Sequence, residues 1–136
     1  MMLAIHLKVV GLTLLLLGAL HVAFPRRFRW AEELQRLSLL NRQIFLVHCF
    51  FIVLTLGLMG SLALFFTDAL LEATSLARLV LAGLVVFWVA RLVCQLAVYD
   101  VRLWRGNRFN TVAHVAFTAL WTYYIAIFGW ALWSLA

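Results

Sequence analysis

Long apolar stretches alternate along the chain with short segments that gather most of its charge. Four stretches, residues 3–24, 44–67, 79–99 and 111–135, each supply the roughly 20 apolar residues that a helix needs to cross a bilayer. Lipid offers no partner for free backbone N–H and C=O groups, so a spanning segment must be helical. The pattern therefore predicts an all-α fold. Four transmembrane helices would form a bundle of two helical hairpins, a single domain over residues 1–136. Residues 25–43 read differently. Trp30, Leu34, Leu37 and Leu40 recur at helical spacing, with Glu32, Glu33, Gln35 and Arg36 on other faces. This predicts a short amphipathic helix lying in the headgroup region. The first eight residues resemble the start of a signal peptide, but no small-residue cleavage pattern follows. The run is also long enough to span, so it reads as the first transmembrane helix.

Composition excludes the main alternatives. Of 136 residues, 67% are apolar and 12% charged, against the quarter or so that a soluble domain carries on its surface. Cys49 and Cys94 lie inside apolar runs and read as small buried hydrophobes rather than a disulfide framework. In a soluble chain the net charge of +6 would point to nucleic acid. Here the basic residues flank the spans, so no nucleic-acid partner is expected and the charge orients the helices. Arg26, Arg27, Arg29, Arg36 and Arg42 lie between the first two spans, and Arg102, Arg105 and Arg108 between the last two. Lys8 and Arg78 are the basic residues of the opposite side. The bias places both connections in the cytoplasm and both termini outside, as in an integral protein of a bacterial inner membrane.

An offset of 66 residues aligns Arg36, Leu37, Asn41, Arg42, His48, Phe51 and Leu54 with Arg102, Leu103, Asn107, Arg108, His114, Phe117 and Leu120. Four of the seven identities are Arg, Asn or His, which apolar bias does not supply. The match points to a duplicated hairpin, with His48 and His114 as symmetry mates at one depth. A plainer reading makes Asn41 and Asn107 helix caps and Arg42 and Arg108 headgroup anchors.

Ionisable residues within a span are expensive enough to mark candidate sites. His21, His48, Arg91 and His114 qualify, and Gln95 lies one turn beyond Arg91 on the same face. Facing His48 and His114 would suit a b-type haem, with Arg42 and Arg108 on its propionates. With His21 added, three imidazoles would suit a transition metal ion. A histidine with Arg91 and Gln95 would suit quinone carbonyls. The competing expectation is that these side chains bond across helices or reach the interface without any ligand. The spans hold no Asp or Glu, so paired-carboxylate catalysis has no residues to carry it. An enzyme is not the favoured expectation. His6 reads as a solitary interfacial side chain.

Small residues at Ala4, Gly11 and Gly18, and at Gly57 and Ser61, predict close helix packing. Trp130 and Trp133 suit the outer interface, while Trp121, Tyr123 and Tyr124 lie deeper. The favoured expectation is a non-catalytic accessory or scaffold subunit. It would sit in the lipid bilayer as a homo-oligomer or as part of a larger membrane protein complex. The alternative is a redox or cofactor protein built on the histidine pair.

Overall fold

Every apolar stretch folds as a helix, and no strand is present in the computed structural model, which describes residues 1–136. Helix α1 is Met2–Arg27, α2 is Trp30–Glu33, α3 is Leu39–Phe65, α4 is Thr67–Leu70, α5 is Ser75–Ala97 and α6 is Arg108–Ser134. Short 3₁₀ turns occupy Leu34–Arg36 and Val101–Leu103. α1, α3, α5 and α6 are each long and apolar enough to cross a membrane, and the chain is an integral membrane protein on that ground. It divides into two compact units. One is Leu7–Thr67; the other is Asp68–Ala136 together with Met1–His6.

In the first unit α1 and α3 touch backbone to backbone. A Cβ placed on Gly11 would lie 2.6 Å from the Leu64 nitrogen and 2.8 Å from the Gly60 oxygen. One placed on Gly60 would lie 2.9 Å from Leu15 Cγ. In lipid, such close approach of small residues replaces the hydrophobic drive that packs helices in water. The expected stripe on α1 is present in Gly11 and Gly18, which are both buried. On α3 the contact differs from expectation, because Gly57 meets nothing within 4 Å. The buried positions are Leu56, Gly60 and Ala63, whose steps of four and three residues keep one face.

The amphipathic segment is not one helix. α2 completes a single turn after Arg29, whose φ of 51° is left-handed, and the chain becomes extended at Leu37. Ser38 then caps α3 by accepting a hydrogen bond from the Asn41 N–H at 3.4 Å, so Leu39 and Leu40 belong to the spanning helix. Trp30 packs edge-on against Phe45 at 4.8 Å. Asn107 caps α6 as expected, accepting from the Asn110 N–H at 3.2 Å. Asn41 is no cap. It lies three positions beyond one, so the helix starts are out of step with the sequence match. Counted from its cap, His48 is the tenth residue along α3 and His114 the seventh along α6.

In the second unit α5 and α6 form an antiparallel hairpin with an aromatic core. The Trp88 ring stacks on Trp121 at 4.9 Å and meets Tyr124 edge-on at 4.7 Å, and Phe128 is fully buried. Thr74 caps α5 by accepting from the Ala77 N–H at 3.1 Å. Gly106, at φ 85°, makes the left-handed turn into α6. At the free end, Arg78 Nε donates to the Leu135 carbonyl at 2.9 Å. His6 does not stand alone. Its Nδ1 lies 2.9 Å from the Tyr123 hydroxyl, and its ring lies against Trp130.

Candidate functional site

The α5–α6 hairpin brings together three polar residues that its sequence places on facing helices. Arg91 Nη1 donates to Gln95 Oε1 at 3.3 Å, and Gln95 Nε2 lies 2.8 Å from His114 Nδ1. Arg91 and Gln95 are one helical turn apart on α5, so their side chains stack along one face. A guanidinium only donates, so the amide oxygen must face Arg91 and the amide nitrogen must face His114. Gln95 Nε2 therefore donates to a bare His114 Nδ1, and the neutral imidazole carries its proton on Nε2. Gln95 is 6% exposed, and both ends of its amide are satisfied, as burial requires.

Aromatic rings enclose this relay. The Arg91 guanidinium carbon lies 5.1 Å from the Trp121 ring centre and 5.9 Å from that of Tyr99, within the range of cation–π attraction. Trp104 stacks on the His114 ring at 3.9 Å with an interplanar angle of 14°. The connection holds Trp104 in place through the first turn of α6. Asn110 Nδ2 donates to the Leu103 carbonyl and Thr111 Oγ1 to the Trp104 carbonyl, both at 2.7 Å. The sequence reading missed all three aromatic residues as members of the site. Trp121 was findable one heptad beyond His114, but nothing local marks Trp104.

Electrostatically the site carries one permanent cation and no carboxylate. Asp100, the nearest acid in sequence to Arg91, is engaged by Arg102, whose Nη2 donates to Asp100 Oδ2 at 2.6 Å and whose Nε spans both oxygens. That guanidinium holds the Asp100 carboxyl below the usual carboxylate range. The other ion pair, Arg29 with Glu32 at 2.7 Å, belongs to α2. Arg91 is left with no acidic partner. The indole N–H groups of Trp88 and Trp121 are buried without an acceptor.

The remaining candidates are not part of this hydrogen-bonded chain. His48 on α3 is exposed, and its Nδ1 bonds the Ile44 carbonyl at 2.8 Å. His21 on α1 makes the same bond to Leu17 at 2.8 Å and lies against Phe24. In both, the proton used for that bond leaves Nε2 as a bare acceptor, the reverse of His114. Axial ligation by His114 through Nε2 would require its proton to move and the Gln95 bond to break. Within each hairpin no three His, Cys, Asp or Glu side chains converge at metal-binding spacing. Arg42 and Arg108 lie in the first turns of α3 and α6 without ion-pair partners. Arg108 lines an open depression of about 420 Å³ with Gly106, Asn107, Thr111 and Val112. Both cysteines are free, but Cys94 is exposed rather than buried, because the α5 face that carries it is turned away from α6. No known protein family matches this chain, and neither a curated protein nor a solved structure was found to resemble it.

Proposed function

We propose that the chain is a non-catalytic membrane subunit that binds another transmembrane helix through the face of α3 around His48. The observation that carries this reading is His48 itself. It is exposed on a helix whose Ile44, Phe51 and Ile52, one turn away on the same face, are also exposed, and its Nε2 has no partner. A bare imidazole nitrogen against lipid tails is unfavourable. An adjacent helix presenting an O–H or N–H donor relieves that penalty, and lipid-facing apolar side chains beside it supply the packing. The basic bias supports an orientation with both helix connections in the cytoplasm and both termini outside, in a bacterial inner membrane.

The test is a photoreactive side chain at Val47 in native membranes, with His48→Leu as the comparison. A crosslink to a second polypeptide, or to a second copy, that His48→Leu weakens is the expected result. A crosslink confined within one chain overturns the reading. One observation favours a second reading. The bare Nε2 atoms of His21 and His48 are also what a haem iron or a transition metal ion takes up. The absorption spectrum of the purified sample separates the two. A Soret band, or a stoichiometric metal by elemental analysis, that is lost in His48→Leu assigns His48 to a cofactor, and the absence of both leaves the docking role.

A further inference from the structure

We infer that the Arg91–Gln95–His114 cluster of the α5–α6 hairpin is a binding site for a phosphate anion, carried by a membrane lipid or free in solution. The inference concerns a different helix pair from the proposed docking face and stands or falls separately. Its first ground is charge. Arg91 is a permanent cation on a spanning helix, half-buried, with Gln95 Oε1 at 3.3 Å as its hydrogen-bond acceptor and no carboxylate beside it. Asp100, which a snorkelling Arg91 would otherwise reach, is taken by Arg102.

The second ground is the donor inventory. The relay fixes the His114 proton on Nε2, so that atom is a donor. Trp121 offers its ring face to the guanidinium, while its own indole N–H is buried and closed to a ligand. The Thr118 hydroxyl is spent on the His114 carbonyl at 2.8 Å. The Arg91 guanidinium, with no anionic partner, and the His114 imidazole thus sit at the two ends of one hydrogen-bonded chain through Gln95. The complementary ligand is anionic and rich in acceptor oxygens, which describes phosphate better than a neutral carbonyl compound.

Depth supplies the third ground. Arg91 lies six residues before the end of α5, about 9 Å along the axis, where a long side chain reaches the headgroup layer. Arg105 and Arg108 follow in the connection and the start of α6, adding positive potential at the same end.

The test follows thermal unfolding of the intact protein in mild detergent. Phosphatidylglycerol, phosphatidylcholine, inorganic phosphate and a quinone are each added to wild type, Arg91→Gln and Arg105→Gln. Phosphatidylglycerol should protect wild type more than phosphatidylcholine does. Its apparent affinity should fall at least about tenfold in Arg91→Gln and less than about twofold in Arg105→Gln. Equal protection by inorganic phosphate alone assigns the site to a soluble phosphate. The site is overturned by undiminished protection in Arg91→Gln, or by an equal loss in Arg105→Gln, which marks diffuse surface charge. Protection by a quinone but not by either phosphate source also overturns it. Should Arg91→Gln fail to fold, lipid phosphorus is counted on washed wild type. About one phosphatidylglycerol retained per chain sustains the site; none retained, with no protection of wild type by inorganic phosphate, removes it.

Discussion

Gln95 shows how much one side chain can organise. Its amide joins a cation on its own helix to an imidazole on the facing helix, and it is buried as it does so. Gln95→Leu keeps the volume but strands Arg91 and the His114 Nδ1 together. Each stranded group costs about 1–3 kcal/mol, so a fall in stability of that order is expected by denaturant titration in detergent. Gln95→Glu should recover part of it, because a carboxylate gives Arg91 an acceptor and a counter-charge. At the rim, Asp100 is exposed and held deprotonated by Arg102. Its folded pKa lies below the unfolded value, so its contribution is present above the unfolded pKa of about 3.9. That contribution fades as pH falls through the folded pKa. Asp100→Asn should therefore remove an acid-side change in the Val101–Leu103 turn, seen in the amide chemical shifts of Arg102 and Leu103. A change that persists in the variant would exclude Asp100 as its source.

At the scale of elements, the existence of four helices was legible because spanning lipid leaves the backbone no other choice. Their faces were only partly legible. The Gly11 and Gly18 stripe was read correctly on α1, but on α3 two glycines three residues apart offered rival faces, and packing selected Gly60 over Gly57. The distinction is measurable. Gly11→Ala forces a methyl into the Leu64 backbone, and overpacking of this kind costs about 1–3 kcal/mol. Gly57→Ala meets open space and should be neutral or stabilising by up to about 1 kcal/mol. Equal effects of the two in unfolding titrations would disprove the crossing. The amphipathic segment failed for a local reason. Its apolar spacing ran on through Leu40, but Ser38 is a strong N-cap and started the next helix there.

For the whole molecule, the distribution of exposure matters most. The core of Asp68–Ala136 is aromatic and built around Trp88, Trp121 and Tyr124, and of the four spanning helices α3 is the least buried. A chain built this way has one hairpin with its own internal polar site and one with a face open to lipid or to a neighbour. The crosslinking and lipid-protection experiments address these two features separately. Loss of the α3 contact in His48→Leu should leave the phosphate affinity at Arg91 unchanged.

The sequence by itself determined membrane residence, the number of helices and the short list of polar residues, because a bilayer imposes length, apolarity and backbone satisfaction on any spanning chain. Arg91, Gln95 and His114 were all on that list. Their grouping was not readable, since His21, His48 and His114 carry the same local signal of an imidazole inside an apolar run. Tertiary structure decided which histidine meets Gln95 and on which nitrogen, which acid is spent on Arg102, and that Trp104 folds back over His114. Those outcomes depend on how α5 packs on α6 and how their connection turns. Gln95 and His114 are 19 residues apart, a separation at which periodicity carries no information, whereas the Asp100–Arg102 pair is set locally by the turn.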